Sequence, residues 1–170
     1  SAVATIVMAM CTLLYDEIKN SFDVIDCYQN QQQVLNDLHR ICGYDSSTIK
    51  EYNLDSSNLL WIPRSSQEIA NHILHTVFMG TVNSSDVTTS RAKRLGAAIG
   101  SYHLTVPIDL MVTAVLKVFT VACGTGLTPQ FLCNGGTLTE DLALQNIQAR
   151  LRMVTAYLFA QLLPWVRNHS

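Results

Sequence analysis

Polar side chains that could bind an elongated ligand recur in one stretch near the end of the chain. Asn146, Arg150 and Tyr157 supply an amide, a guanidinium and a phenol. At about 100° per residue these positions, with Met153, fall within roughly 60° of one another on a helix, and the stripe is about 16 Å long. Arginine can hold a phosphate or carboxylate with two parallel hydrogen bonds. Tyrosine offers a ring face and a hydroxyl.

The same stretch carries the pattern of a helix that would hold these side chains. Its apolar residues recur at steps of three and four, which predicts an amphipathic helix with one stripe packed on a core. These residues are Leu144, Ile147, Leu151, Val154, Leu158 and Leu162. An ordinary helix with one buried and one solvated face has the same pattern, so the spacing alone does not establish a ligand site.

Residues 142–158, Leu-Ala-Leu-Gln-Asn-Ile-Gln-Ala-Arg-Leu-Arg-Met-Val-Thr-Ala-Tyr-Leu, resemble the substrate-helix signature of glutamine-dependent NAD synthetases. These are ligases of the ATP-pyrophosphatase superfamily. In that family the positions that match Asn146, Arg150 and Tyr157 face deamido-NAD, partly across a dimer interface, so the resemblance implies the same role for these three residues. Arg152 lies about 200° from Arg150 around the helix, and we expect it to make a different, structural contact.

Composition limits the class of protein. The 170 residues are 48% hydrophobic and 14% charged, enough to bury one core. The net charge of −2 gives no basic field for nucleic acid. The apolar start, 2–15, is too short to span a membrane. Five cysteines without paired spacing predict reduced thiols in a cytoplasmic protein, and His39 and Cys42 lack further ligands at zinc spacing.

The middle of the chain alternates strand and helix signals. Ser65 can start a helix, and the apolar run 73–79 is typical of a buried parallel strand. A helix over 86–100, a strand over 102–108 and a helix capped by Asp109 follow. This order predicts an α/β fold with a parallel sheet and right-handed crossovers. The inward side of the first of these two helices is predicted to carry Val87, Ala92, Leu95 and Ile99.

The start of the chain is less informative. Helical spacing is present almost from the first residue, and 34–41 predicts a further turn or two of helix. Residues 44–58, with two Asp-Ser-Ser clusters, predict a loop. Residues 16–60 resemble a family-variable insertion. The Gly- and Thr-rich stretch 125–139 predicts a mobile connection, after which Glu140 and Asp141 place negative charge where a helix dipole favours it.

The turn after the first predicted strand is the second candidate binding region. In parallel sheets ligands bind beyond the carboxyl ends of the strands, and the segment 79–85 is at that place. It is similar to the family segment that lies against the adenosine of ATP, so Met79, Ser84 and Ser85 are the expected ATP-side residues. A plain strand-to-helix turn with a serine cap is the alternative. His103 also matches the family pattern, and no chemistry is assigned to it.

The resemblance also predicts what part of the family's architecture the chain represents. Its first residues look like those that follow the family's pyrophosphate loop, Ser-Gly-Gly-x-Asp-Ser, and Ser1 matches the last serine of that loop, which contacts ATP. We therefore expect 1–170 to be an internal part of one synthetase domain, inactive alone. The implied fold is a three-layer α/β nucleotide-binding fold of the adenine nucleotide α-hydrolase type, incomplete in this chain.

The implied reaction is amidation of deamido-NAD to NAD. ATP and Mg²⁺ take part through an acyl-adenylate, and ammonia comes from a separate glutaminase domain. The family's metal-binding acids lie outside this chain, so no metal ligand and no catalytic residue is predicted. A non-catalytic relic that serves as a structural or interaction subunit is the alternative. A GMP or asparagine synthetase is disfavoured by the run 146–153.

The end of the final helix predicts an interface. Its apolar residues extend beyond one stripe, and a helix that is apolar on several sides is buried on several sides. These residues are Leu158, Phe159, Leu162, Leu163 and Trp165. Together with the family's dimerisation through this region, they predict a homo-oligomer formed through the helix 141–166.

Overall fold

The structure is a computed structural model that describes residues 2–22, 28–42, 61–124 and 126–168. Ser1 and the predicted loop 44–58 lie outside these ranges. The α-helices and β-strands of the described part are, in order, α1 (Ala2–Phe22), α2 (Tyr28–Ile41), α3 (Ser66–Ile73), β1 (His75–Gly80), α4 (Asp86–Ile99), β2 (Tyr102–Pro107), α5 (Asp109–Cys123) and α6 (Leu138–Asn168), with a 3₁₀ turn at Leu132–Asn134 before α6.

The two strands form a parallel pair, which confirms the predicted α/β class. The Leu74 carbonyl accepts a hydrogen bond from Tyr102 N at 3.0 Å, and the Gly80 carbonyl accepts one from Ile108 N at 2.9 Å. Parallel strands need a crossover, and here α4 supplies it. Gly80 and Pro107, the last residues of the two strands, therefore lie at the same edge of the sheet.

The helix before β1 begins where the sequence predicts. Ser65 is its N-cap, and the Ser65 side chain accepts a hydrogen bond from Glu68 N at 3.2 Å. The Glu68 carboxylate accepts from Arg64 N at 2.7 Å and from the Trp61 indole at 3.0 Å. The Ser65 bond satisfies a backbone donor that a helix start leaves without a partner, and the Glu68 bonds connect the first turn to the residues before it.

Several predicted boundaries and faces need correction. The first strand begins at His75 because Ile73 is the last residue of α3. Helix α2 starts at Tyr28, well before the predicted 34–41. On α4 the predicted inward residues Val87 and Leu95 are exposed, whereas Ile99 is buried. Beside Ile99, Gly96 brings the α4 backbone close to the His103 ring, and this contact sets the buried face.

The chain forms two compact units, and one comprises 1–76, 90–104 and 165–170. Its core joins α1, α2 and α3 through five buried residues. They are Cys11, Ile18, Leu38, Ile69 and Ala70. The opposite side of α1 exposes apolar residues of the predicted helical spacing, namely Val3, Ile6, Met10 and Leu13.

The second unit comprises 77–89 and 105–164. On α6 the predicted buried stripe is right at Leu144, which is 2% exposed. It is wrong further along, since Val154, Leu158 and Leu162 are exposed. The buried side passes instead through Thr155, whose hydroxyl donates to the Leu151 carbonyl at 2.7 Å and contacts the Met111 sulfur on α5 at 3.3 Å.

Near the end of α6, Arg167 makes several contacts within the first unit. Arg167 Nη1 donates to the Asn71 carbonyl at 2.5 Å, and Nη2 donates to Asn71 Oδ1 at 2.9 Å. Its guanidinium also lies 4.5 Å from the centre of the Tyr102 ring and 3.2 Å from His75 Nε2. Burial, with the positive charge of Arg167, lowers the pKa of His75. The neutral imidazole that results can accept from Arg167.

Within the described ranges, none of the helices combines the length and hydropathy that crossing a membrane requires.

Two glycines at helix ends provide a matched test of the fold. Gly100 has φ +79° and Gly124 has φ +64°, and an added Cβ at Gly100 would lie 2.8 Å from the Gln67 carbonyl oxygen. At Gly124 the added Cβ would meet nothing within 4 Å. Gly124→Ala should cost about 1 kcal/mol from backbone strain alone. Gly100→Ala should cost about 2–4 kcal/mol, since steric overlap is added.

Urea unfolding of the two alanine variants measures this difference. Equal losses of unfolding free energy would contradict the close approach of Gly100 to Gln67.

Candidate functional site

The turn after β1 is built by its own hydroxyl and backbone groups. Thr81 N donates to Ser84 Oγ at 2.9 Å, and Ser84 N donates to the Thr81 carbonyl at 2.8 Å. Ser85 Oγ accepts from Thr88 N at 3.2 Å and lies 2.9 Å from the Thr88 hydroxyl, as an N-cap of α4 does. The hydroxyls of Ser84 and Ser85 thus have local structural roles.

Two charged side chains from later helices hold the same turn. Asp109 Oδ1 accepts from Val82 N at 3.2 Å. Arg152 Nε, half-buried, donates to the Met79 carbonyl at 3.1 Å. The structural contact expected for Arg152 is therefore present. It joins α6 to the end of β1.

The predicted capping role of Asp109 is wrong. Ile108 is the N-cap of α5 and makes no side-chain cap hydrogen bond, and Asp109 is the first residue of the helix. Its carboxylate is directed to Val82, 27 residues earlier. No local sequence signal identifies this partner, because the contact depends on the parallel pairing that brings the two strand ends together.

The predicted deamido-NAD residues lie on the exposed side of α6. Arg150 Nη1 donates to Asn146 Oδ1 at 3.0 Å, one helical turn away. Tyr157 is 66% exposed, and Met153, which lies between Arg150 and Tyr157, is 52% exposed. The stripe is thus accessible along its length, and a hydrogen bond orients the first two polar groups relative to each other.

Carboxylates at the start of α6 fasten the preceding segment. Glu140 Oε2 accepts from both the backbone and the hydroxyl of Thr137, each at 2.7 Å, and Oε1 accepts from Gln130 N at 3.3 Å. Asp141 Oδ1 accepts from Leu132 N at 3.0 Å. The expected helix-start charges therefore also bind backbone groups of the segment that precedes the helix. The hydrogen bonds from Thr137 and Gln130 lower the pKa of Glu140, and the Thr137 backbone bond is the largest cause.

A close backbone approach fixes the same segment. An added Cβ at Gly136 would lie within hard-sphere overlap of the Gln130 carbonyl. Only glycine fits at this position without a shift of the backbone, so the path of 130–136 depends on it.

Other candidate side chains do not form a reactive site. His103 Nδ1 lies 2.9 Å from the Thr76 hydroxyl, while Nε2 is buried without a hydrogen-bond partner among the described residues. His39 Nε2 contacts the Trp61 carbonyl at 2.6 Å. Burial, with a smaller effect of Cys11, raises the pKa of Cys42 to about 11, so this thiol is protonated at neutral pH. In the part of the chain that the structure describes, no three His, Cys, Asp or Glu side chains meet as a metal site requires.

No family model matches the chain. The similar proteins are synthetases. Over 167 residues the chain is 45% identical to the glutamine-dependent NAD(+) synthetase of Saccharomyces cerevisiae. The matched region covers 98% of this chain and 20% of that protein. It is 43% identical to the rice enzyme of the same name over 170 residues, covering 100% of this chain and 20% of that protein.

The mouse protein of this name is 41% identical over 168 residues, covering 99% of this chain and 20% of that protein. The resemblance first seen in residues 142–158 is therefore confirmed over almost the whole chain. The chain spans about one fifth of the length of the curated relatives it matches.

The bonds of Glu140 predict how the segment before α6 responds to pH. Because the folded-state pKa of Glu140 lies below the ordinary value of 4.5, its contribution is fully present above that value. It is lost as the pH falls through the lowered pKa. Exchange protection of the Thr137 and Gln130 amides, corrected for intrinsic rates, should therefore fall as the pH is lowered below 4.5.

Glu140→Gln keeps the shape of the side chain and removes its titration. In this variant the protection should be weaker at neutral pH and independent of pH. Unchanged protection of both amides in Glu140→Gln would show that the carboxylate does not hold the segment.

Proposed function

We propose that this chain is part of the synthetase domain of a glutamine-dependent NAD synthetase. The observation that carries the proposal is sequence similarity over 98–100% of the chain to proteins of that name. The stretch 142–158, whose pattern resembles the family's substrate helix, also carries the exposed polar stripe of α6. The parent protein would be a cytoplasmic ligase that forms the amide of NAD.

The fold in this proposal is an α/β nucleotide-binding fold of the adenine nucleotide α-hydrolase type. The parallel pair β1 and β2 supports it, since ligands of such sheets bind beyond the carboxyl ends of the strands. The turn 81–85 follows the carboxyl end of β1. Ser84 and Asp109 accept hydrogen bonds from its Thr81 and Val82 amides. Arg152 and Ser85 bond the backbone on either side, at Met79 and Thr88.

In this proposal deamido-NAD binds the stripe of Asn146, Arg150 and Tyr157. The Arg150 guanidinium is held by Asn146 Oδ1 at 3.0 Å and keeps further N–H donors for a phosphate or carboxylate. Tyr157 offers an exposed ring for stacking and a hydroxyl for a ribose. The stripe matches an elongated anionic ligand better than a compact one, because its polar ends are about 16 Å apart.

ATP would bind at the turn after β1. Met79 would supply an apolar wall for adenine, and Ser84 and Ser85 would offer hydroxyl and backbone groups to its polar edges. Ser1, the remaining expected ATP contact, lies outside the described residues. Ser84 Oγ accepts one local hydrogen bond and keeps a second lone pair for a ligand.

The chemistry would have two stages. The nicotinate carboxylate of deamido-NAD attacks ATP and pyrophosphate leaves, which gives an acyl-adenylate. Ammonia, produced from glutamine by a separate glutaminase domain, then attacks the acyl carbon and AMP leaves. This chain would align the two anionic nucleotides, an effect that by itself lowers a barrier substantially. Mg²⁺ would screen the phosphates of ATP, and its ligands are assigned to other parts of the parent protein.

Arg150→Ala tests the assignment of the stripe. In the full-length protein the variant should weaken the binding of deamido-NAD by about tenfold to a hundredfold, because a charged hydrogen bond contributes on the order of 1.5–3 kcal/mol. The dependence of the rate on ATP should change less, and glutaminase activity measured without synthetase ligands should not change. Steady-state NAD formation with deamido-NAD varied measures the effect.

Arg91→Ala, at an exposed position of α4, is the matched control and should leave the deamido-NAD dependence unaltered. An Arg150→Ala enzyme with wild-type deamido-NAD dependence would refute the assignment. A wild-type protein that forms no NAD at all would favour the non-catalytic alternative.

We also propose that the parent protein assembles with a second copy through α6. Val154, Leu158 and Leu162 are 58%, 51% and 44% exposed on this helix, and apolar residues at such spacing are usually covered. Of the residues expected at the interface, Leu163 is instead buried within the chain.

Leu158→Glu places a charge on the proposed interface and should shift the protein toward monomers in multi-angle light scattering. Leu138→Glu, at an exposed position in the first turn of the same helix, should leave the assembly intact. A wild-type monomer at micromolar concentration would contradict the proposal.

A further inference from the structure

The backbone of the turn after β1 is held by side chains that come from two later helices. Arg152 on α6 reaches the Met79 carbonyl at 3.1 Å, and Asp109 on α5 reaches Val82 N at 3.2 Å. Both bonds join a charged type of side chain to a backbone group, and hydrogen bonds of this kind are in general stronger than those between neutral groups. Neither belongs to a regular helix or sheet ladder.

The two bonds act at opposite ends of a short segment. Met79 and Val82 are three residues apart, and between them Gly80 is fixed by its carbonyl bond to Ile108 N. The segment is therefore held at three points, one on the sheet and two by charged side chains. These bonds restrict the backbone of the segment before a ligand binds, which lowers the entropy lost on binding.

Arg152 also relates the turn to the polar stripe of α6. It is two residues from Arg150, at about 200° around the helix. On the same helix, the Arg150 guanidinium lies on the exposed side and the Arg152 guanidinium binds the Met79 carbonyl. Because both arginines are on one helix, the Arg152 bond links the position of Arg150 to that of the turn.

We infer that Arg152 and Asp109 are positioning residues that set the geometry of the turn for the adenosine part of ATP and align it with the α6 stripe. The inference rests on the proposed function. Neither side chain needs to touch a substrate. Their effect would appear in the affinity for ATP and in alignment, and not only in stability.

Paired variants of the full-length protein test this inference by steady-state NAD formation. Arg152→Met removes the donor at similar size, and Arg152→Lys keeps a donor. Asp109→Ala removes the acceptor, and Asp109→Asn keeps it. Arg152→Met and Asp109→Ala should raise the KM for ATP about tenfold, the effect of losing one charged hydrogen bond. Arg152→Lys and Asp109→Asn should stay within about threefold of wild type.

Arg94→Met and Asp16→Ala change exposed residues on α4 and α1 and serve as controls. The inference also expects the KM for deamido-NAD to rise less than the KM for ATP in Asp109→Ala, because Asp109 is not on the stripe helix. Circular dichroism and thermal melting report folding. If Arg152→Met does not fold, Arg152→Lys and the two Asp109 variants decide the result.

The inference is overturned if the loss variants lower thermal stability but change the KM for ATP no more than the controls do. It is also overturned if the conservative variants are as impaired as the loss variants. A wild-type protein that forms no NAD refutes the proposed function and this inference together. Active wild type with an unaltered KM for ATP in the loss variants refutes the inference alone.

Discussion

Parallel pairing of β1 and β2 is the constraint on which the rest of the candidate site depends. Parallel strands end at the same edge of a sheet, so the turn after Gly80 and the start of α5 after Pro107 meet there. Only this arrangement lets Ile108 N reach the Gly80 carbonyl and Asp109 reach Val82. An antiparallel pair would have placed Asp109 at the opposite end of β1.

Local chemistry predicted the elements well. The Ser65 cap, the proline that ends β2 and the long final helix follow from groups within a few residues of one another. The exposed stripe of Asn146, Arg150 and Tyr157 also followed from sequence, since helical period alone decides which positions share a side. For the serine hydroxyls of the turn the sequence predicted either contact with ATP or a helix cap. The structure shows local hydrogen bonds, including the cap.

Contacts over long sequence distances were not predictable in the same way. Helix α6 is apolar on several sides, so its pattern does not say which side is buried. The Met111 sulfur beside Thr155 and the Met79 carbonyl beside Arg152 select that side, and both partners lie more than 40 residues earlier. The contact of Asp109 was equally unpredictable. Its residue type and position are typical of a helix start, but its partner is Val82 N in the turn after β1.

The bond between Arg152 and Met79 also orders events during protein synthesis. Its two ends are 73 residues apart, and the earlier end is made first. At about 5–20 residues per second, the Met79 carbonyl is on the growing chain for roughly 4–15 s before its partner exists. During that interval β1 and β2 can already pair. The turn therefore reaches its final form in the same late step that brings the helix carrying Arg150 into place, so the two halves of the candidate site mature together.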